Sequence, residues 1–243
     1  MIEFSELLHV LIENWEAVVL FFLVAILYSS VGFGGGSSYL AILALTGLGY
    51  IQFRAIALLC NIVVVSGGTY IYFKRGYFNW KKIIPLTLVS VPFAFFGGFL
   101  KIGQTFFFVL LGITLIVAAV LMWISKYMVT EVKSEVLNGS KLRDSAYGGV
   151  LGFISGMVGI GGGVFLAPLL HLTNWDTPKR IAATTSFFIL VNSLAGLLGQ
   201  FQNQDFYFEP KIAFILMLTV FFGGQIGSRI STSKISPILI KRL

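Results

Sequence analysis

The chain has 243 residues, of which 57% are hydrophobic and only 11% are charged. Soluble domains carry about 25% charged residues, so the composition excludes an ordinary soluble protein and indicates an integral membrane protein. The formal net charge is +7, which we interpret as the charge bias of cytoplasmic loops rather than as a nucleic-acid-binding surface. The single cysteine, Cys60, excludes an internal disulfide bond.

The first apolar segment, residues 17–53, contains no acidic residue, basic residue or histidine. A single helix of that length would measure about 55 Å, whereas the hydrocarbon core of a bilayer is about 30 Å thick. Glycine inside a helix costs about 1 kcal/mol relative to alanine, and residues 32–36 include four glycines. We therefore predict a helix near 17–31, a break at the glycines, and a shorter helix near 37–50.

The rest of the chain divides at its charged residues into further apolar segments and one polar linker. Each of the longer segments contains enough residues to span a bilayer as a helix. In chain order, the uncharged runs are 55–73, 83–100 and 102–125, then, after a polar linker at 126–144, 145–170 with a second glycine break at 159–163, 181–204, and 212–228.

The two halves of the chain share a common plan. Gly34, Gly35 and Gly36 match Gly161, Gly162 and Gly163, and Arg54 matches Arg180 in the same alignment. We predict an all-α integral membrane protein made of two repeats of about five membrane elements each. The first repeat covers 1–125 and the second covers 145–243 within one membrane domain. By comparison with the first repeat, we expect the second to lack its final helix in this sequence.

Basic residues in loops predict how the repeats are oriented. Loop 74–82 carries four lysines and arginines, whereas its counterpart, 200–211, carries Asp205 and Glu209 against one lysine. Positively charged loops stay in the cytoplasm, so these equivalent loops lie on opposite faces and the repeats are inverted. The acidic N-terminus is then outside, and the linker 126–144 is inside.

The glycine breaks are the candidate binding site. A helix that begins at Gly36 or Gly163 points unpaired N–H groups and the positive end of its dipole at whatever lies before it. Two such ends near the membrane midplane would form a cradle for an anion. Helix packing alone is the alternative interpretation, but three consecutive glycines exceed what close packing needs. The predicted backbone ligands are Gly34, Gly35, Gly36, Gly161, Gly162 and Gly163; the predicted polar lining is Ser37, Asn61, Thr185, Ser186 and Asn192; Arg54 and Arg180 are candidates for gating or for attracting the anion.

Several kinds of chemistry have no support in the sequence. None of the predicted spans contains Asp or Glu, no cysteine–histidine cluster could hold a metal, and no nucleophile–base pair is visible. We therefore expect no enzymatic activity, no cofactor, no metal site and no nucleic-acid partner. The expected partners are the lipid bilayer and a small anionic substrate. An inside-negative potential of about 100 mV favours anion export by about 2.3 kcal/mol per charge, so export needs no coupling ion.

Four motifs resemble the TauE/SafE sulfite-exporter family of membrane permeases, also called the 4-toluene sulfonate uptake permease group. They are residues 31–36 (VGFGGG), 158–168 (VGIGGGVFLAP), 179–186 (KRIAATTS) and 224–229 (GQIGSR). The resemblance implies a multi-pass protein of the bacterial-type inner membrane. It also implies transport of small sulfur-containing anions such as sulfite, sulfoacetate or related organosulfonates, often outward.

Two other functions are compatible with the same residues. A passive anion channel would use the helix-dipole cradle equally well, and saturable flux would distinguish a carrier from a channel. A non-transporting membrane scaffold would tolerate substitution at the glycine breaks and would bind no anion. The sequence leaves open the identity of the anion, the direction of transport, any coupling ion and the oligomeric state.

Overall fold

The computed structural model describes residues 4–46, 49–128, 141–204 and 206–233. These ranges form ten α-helices and no β-strand. The helices are α1 (Phe4–Glu13), α2 (Trp15–Ser29), α3 (Gly36–Leu43), α4 (Tyr50–Lys74), α5 (Trp80–Phe99), α6 (Gln104–Met128), α7 (Lys141–Val158), α8 (Gly163–Leu172), α9 (Pro178–Phe201) and α10 (Pro210–Ser233).

The exterior of the helix bundle is suited to lipid. In the described ranges, five helices are long and apolar enough to cross a membrane, and the pair α1–α2, bent by 78°, makes a sixth if it counts as one span. Large apolar side chains face outward, for example Leu27, Ile116 and Trp123, each more than 60% exposed. The predicted all-α membrane fold is confirmed.

The first glycine-broken segment differs from its prediction at both ends. Helix α1 lies in the acidic N-terminal stretch, for which no helix was predicted. Helix α3 was predicted to reach residue 50 but ends at Leu43. There the chain turns, because Thr46 N–H bonds the Leu43 carbonyl and its hydroxyl bonds the same oxygen at 2.6 Å. Uncharged turns of this kind cannot be found from charge alone.

The polar linker is shorter than predicted, because α6 continues to Met128 and α7 already begins at Lys141. Residues 129–140 of the predicted linker lie outside the described residues. Asp144 therefore belongs to the first turn of α7, where a carboxylate favours the positive end of the helix dipole. It is buried and accepts a hydrogen bond from Trp175 Nε1 at 3.0 Å. The division into repeats at 1–125 and 145–243 stays a prediction.

Glycines allow the helices of the two halves to pack closely. A Cβ atom at Gly152 would lie 2.5 Å from the Ser90 carbonyl oxygen, and one at Gly156 would lie 2.0 Å from that of Ala94, so α7 touches the backbone of α5. Gly227 brings α10 equally close to α2, since its Cβ would lie 2.3 Å from the Ile26 oxygen. These contacts are the small-residue packing that membrane helices use.

Contacts at the two ends of the bundle show the directions of α4 and α9. At the end that we call the basic end, Asn79 donates to Asp176 at 3.4 Å and Lys82 lies 3.8 Å from the same carboxylate, which joins the α4–α5 loop to the start of α9. At the opposite end, Lys211 pairs with Glu6 at 2.8 Å. Because α4 ends and α9 begins at the basic end, the two helices run antiparallel. Antiparallel α4 and α9 are compatible with inverted repeats, and the inversion of the whole halves stays a prediction.

Candidate functional site

Both predicted helix breaks contain glycines in the left-handed region of backbone conformation. Gly32 and Gly35 have φ of +87° and +84°, and Gly159, Gly161 and Gly162 have φ of +87°, +81° and +78°. Other L-residues rarely adopt such angles, because their Cβ clashes with the backbone. Gly35 and Gly162 are the N-cap residues of α3 and α8. The glycines therefore end one helix and begin the next at equivalent points of the two halves.

The N-termini of α3 and α8 have no side-chain cap. In α3 the first hydrogen bond into the helix runs from Tyr39 N–H to the Gly35 oxygen. The N–H groups of the three residues before Tyr39 lie ahead of that bond and are the donors that a helix leaves unpaired. In α8 the first such donor is Phe165, which bonds the Gly162 oxygen, and two N–H groups precede it. Each N-terminus also carries about half a positive charge from its aligned peptide dipoles.

Asn61 of α4 lies between the two breaks. A Cβ atom added at Gly34 or Gly36 would lie 2.4 Å from the amide of Asn61, and one at Gly161 would lie 3.0 Å from its Nδ2. Nδ2 donates to the Ile160 carbonyl oxygen at 2.9 Å, and the side chain is fully buried. The structure thus brings Asn61 and the glycines of both breaks together, as the sequence predicted.

Helix α9 supplies the opposite wall. A Cβ at Gly163 would lie 3.1 Å from Cγ2 of Thr185, and one at Gly161 would lie 2.8 Å from Ile189 Cγ2 and 2.9 Å from Ser193 Oγ. Ile189 and Ser193 were not among the predicted site residues. Helical periodicity could have found both, because they follow Thr185 at intervals of four residues and so share its face.

Several buried polar groups around the breaks have no hydrogen-bond partner within the described part of the chain. They are Asn61 Oδ1, Thr185 Oγ1 and Ser193 Oγ. The predicted lining residue Asn192 is fully buried on α9, and both of its amide atoms also lack a partner in the described chain; its place in the binding site stays a prediction. An unpaired buried polar group costs about 1–3 kcal/mol, and native proteins rarely leave several of them together. A polar guest or water at the breaks would satisfy these groups.

Ser186 and Ser37 are two further residues that the sequence predicted to line the site. Ser186 faces α4 at Gly68, where a Cβ would lie 3.2 Å from its Oγ, rather than the breaks. Adjacent helical residues point about 100° apart, so Thr185 and Ser186 cannot both face the glycines. Ser37 is buried in the first turn of α3.

Arg54 and Arg180, which the sequence alignment matches, differ in their contacts with the breaks. A Cβ at Gly159 would lie 3.1 Å from the Arg54 Cα, whereas one at Gly32 would lie 2.9 Å from the oxygen of Ala182, two residues beyond Arg180. The equivalence of the two arginines stays a prediction.

The two arginines lie at opposite ends of the bundle. Arg180 lies 3.7 Å from Asp176 at the basic end, and its side chain is 45% exposed. Arg54 lies toward the other end, is 4% exposed, and donates through Nη2 to the carbonyl oxygens of Gly156 at 3.3 Å and Gly98 at 3.5 Å. Their roles in gating or in attracting an anion stay predictions.

The part of the chain that the structure describes contains no cluster of three or more His, Cys, Asp or Glu side chains with the arrangement a metal ion requires.

The sequence matches the family model described as Sulfite exporter TauE/SafE over residues 17–243. A probable membrane transporter protein of Sinorhizobium fredii is 32% identical over 223 residues, which cover 90% of this chain and 88% of the relative. A probable membrane transporter protein of Methanocaldococcus jannaschii is 31% identical over 171 residues, covering 65% of this chain and 61% of the relative. No solved structure matches the chain significantly. The chain therefore belongs to the TauE/SafE sulfite exporter family of membrane transporters.

Proposed function

We propose that this protein is a secondary transporter for small anions, most specifically sulfite or organosulfonates such as sulfoacetate, and that it exports them. The observation that carries the proposal is the pair of uncapped helix N-termini, α3 and α8, on either side of the buried Asn61. The anion would bind the backbone N–H groups at Gly34–Gly36 and Gly161–Gly163 between them. The proposed reaction is transport without chemical change of the substrate.

The polar groups around the breaks support an anion over a cation. Residues described at the breaks contribute hydroxyls, amides and backbone N–H groups, and no carboxylate is among them. Broken helices with their N-termini at the membrane midplane are the arrangement that transporters use for anionic groups. Thr185 and Ser193 add hydroxyls that have no partner in the described chain, and each could donate to a sulfite oxygen.

The direction of transport follows from the proposed orientation. The basic end, with Lys82 and Arg180, would face the cytoplasm of a bacterial-type inner membrane, and the N-terminus would lie outside. An inside-negative potential of about 100 mV then drives each negative charge outward by about 2.3 kcal/mol. Efflux could proceed on this force alone.

Sulfite efflux from proteoliposomes tests the proposal. We expect saturable efflux that is faster at an inside-negative potential. Gly35→Ala and Gly162→Ala should lower it by about tenfold or more, because an alanine in the left-handed region is strained by about 1–2 kcal/mol and its Cβ would collide with Tyr39 or Phe188 at 2.9 Å. Gly112→Ala is the matched control, since its Cβ meets nothing within 4 Å.

Other results of the efflux assay would each contradict a different part of the proposed function. Flux that rises linearly with sulfite concentration and does not saturate would indicate a passive anion channel rather than a carrier. Absence of flux in correctly inserted wild-type protein would favour a membrane scaffold. Normal flux in both break variants would remove the binding site from the glycines, and efflux that follows pH and ignores the potential would contradict electrogenic export.

A further inference from the structure

A pocket opens at the end of the bundle opposite the basic end. It lies between the start of α4, the turn from α5 to α6 and the end of α9, and its walls include Arg54, Lys101, Gln200 and Asn203. Its volume is about 60 Å³, several times the roughly 10–15 Å³ that a cavity needs to hold one water. A small oxyanion with four or five non-hydrogen atoms fits this space. We call it the Arg54 pocket.

Arg54 brings an uncompensated positive charge to this pocket. The side chain is 4% exposed, and no carboxylate among the described residues pairs with it. Its two hydrogen bonds, to the Gly156 and Gly98 oxygens, are long at 3.3 and 3.5 Å, and Nε has no partner. A buried charge is normally paired, because its desolvation is otherwise expensive.

Gln200 is the second unsatisfied group in the pocket. It is 3% exposed, and neither its amide nitrogen nor its amide oxygen has a partner within the described ranges. Asn203, one turn further along the chain, donates to the same Gly98 oxygen that Arg54 contacts, at 3.4 Å. Tyr50 and Ile51, the first residues of α4, also line the space, so the positive end of the α4 dipole faces it.

We infer that the Arg54 pocket is a second anion-binding site, in which the guanidinium of Arg54 and the amide of Gln200 hold a small oxyanion. The inference rests on the proposed function, because it takes the same anion as its ligand. The guanidinium fork matches the geometry of two oxygens of one oxyanion. The backbone of Arg54 packs against Gly159, so the pocket adjoins the second glycine break. An anion that leaves the breaks would occupy this pocket before release.

Counting bound sulfite tests the second site. Equilibrium dialysis of purified protein in zwitterionic nanodiscs against radiolabelled sulfite should give two bound anions per wild-type chain and one per Arg54→Gln chain. Gln200→Glu should also give one, because its carboxylate would pair with Arg54 and displace the anion. Gln200→Glu leaves both hydrogen bonds of Arg54 in place, so it remains informative if Arg54→Gln does not fold. Lys81→Gln, which removes an exposed lysine at the basic end, should retain both sites.

The break variant separates this inference from the proposed function. Gly162→Ala should lose the anion at the breaks and keep the one at Arg54. Two bound anions in Arg54→Gln and in Gln200→Glu would overturn the second site and leave the break site intact. A single wild-type anion that Gly162→Ala abolishes would overturn it equally. A single wild-type anion that Arg54→Gln abolishes and Gly162→Ala retains would support the pocket and overturn the break site.

The phosphate of a lipid headgroup would bind Arg54 through the same kind of oxygen atoms as a free oxyanion. The choice of lipid in the nanodiscs distinguishes the two ligands. The dialysis is repeated in nanodiscs of phosphatidylglycerol. A free anion should bind the pocket with a similar Kd in both membranes, apart from a general electrostatic weakening that Lys81→Gln shares. Loss of the Arg54-dependent anion in phosphatidylglycerol alone would assign the pocket to a lipid and overturn the inference.

Discussion

Thr185 lies beside the second glycine break and carries a buried hydroxyl without a partner in the described chain. It is fully buried on α9, its Cγ2 lies against Gly163, and Oγ1 has no partner in the described chain. A hydroxyl with only a structural role would be satisfied by a neighbouring backbone carbonyl, as Thr87 is by Ile83 at 2.9 Å. The unpaired hydroxyl lowers stability in the absence of a ligand, and we expect it to be compensated when an anion binds.

The variant Thr185→Val separates these two effects. Valine keeps the shape and removes the unpaired hydroxyl, so the free protein should gain about 1 kcal/mol in stability, seen as a higher Tm in detergent without sulfite. The KM for sulfite efflux should rise by several fold. Thr87→Val is the control, because its hydroxyl is bonded inside α5 and should not affect KM. A higher Tm with unchanged KM would remove Thr185 from the binding site.

At the residue scale, the triple glycines predicted both helix breaks, because consecutive glycines have one main use inside a membrane segment. Asn61 and Thr185 were singled out as polar residues in apolar runs and lie beside the breaks, and their role in binding stays a prediction. The position of Ser186 depended instead on helix register. A shift of one or two residues changes the face that a side chain occupies, and the positions of charges along the chain carry no information about register.

At the scale of elements, glycines have two separate uses in this fold. Five of those at the breaks adopt positive φ, whereas those inside α7 have helical geometry and allow contact with the α5 backbone. Gly156→Ala should therefore act on assembly: its Cβ would lie 2.0 Å from the Ala94 oxygen, on backbone that cannot move aside easily. We expect a lower Tm and a lower yield of folded protein.

The matched variant is Gly112→Ala in α6, where a Cβ meets nothing within 4 Å. There the substitution should raise stability by up to about 1 kcal/mol, the usual advantage of alanine over glycine in a helix. Thermal unfolding of both purified variants measures the contrast. Equal Tm values would show that α5 and α7 leave room for a Cβ atom at Gly156.

Element boundaries could be predicted where charged residues mark helix ends, as at the end of α4 and for α5. Arg54 and Arg229 were taken as boundaries but lie inside α4 and α10. They could not be predicted where the chain turns within uncharged sequence, as at the end of α3. The linker was overestimated because Lys141, Arg143 and Asp144 were assigned to a loop. Asp144 is held inside the bundle by Trp175 and lies 3.7 Å from Arg143, and such pairing allows charged residues to belong to a membrane helix.

At the scale of the whole molecule, the orientation in the membrane is open to direct test. Lys81 at the basic end and Tyr207 at the opposite end are both exposed. Cys60, the only cysteine of the sequence, is buried and can be replaced by alanine. In that background, Tyr207→Cys should react with a membrane-impermeant maleimide in intact cells. Lys81→Cys should react only after permeabilisation.

Reversed labelling would place the basic end outside and would remove the argument for export driven by the membrane potential. Labelling of both positions from the same side would contradict the antiparallel arrangement of α4 and α9, and with it the inverted repeats. The all-α membrane architecture was the most predictable feature of the sequence, because the bilayer fixes the lengths of helices. The sides on which the loops lie stay a prediction until they are labelled.

We propose above that two interrupted helices direct their N-termini at one shared anion. A structure determined with selenite, which resembles sulfite and scatters X-rays anomalously, locates that anion directly. We expect an anomalous peak within hydrogen-bonding distance of the N–H groups that begin both α3 and α8, beside Asn61. Continuous helices through residues 32–36 and 159–163, or selenite bound only away from them, would show that the breaks do not form the anion site.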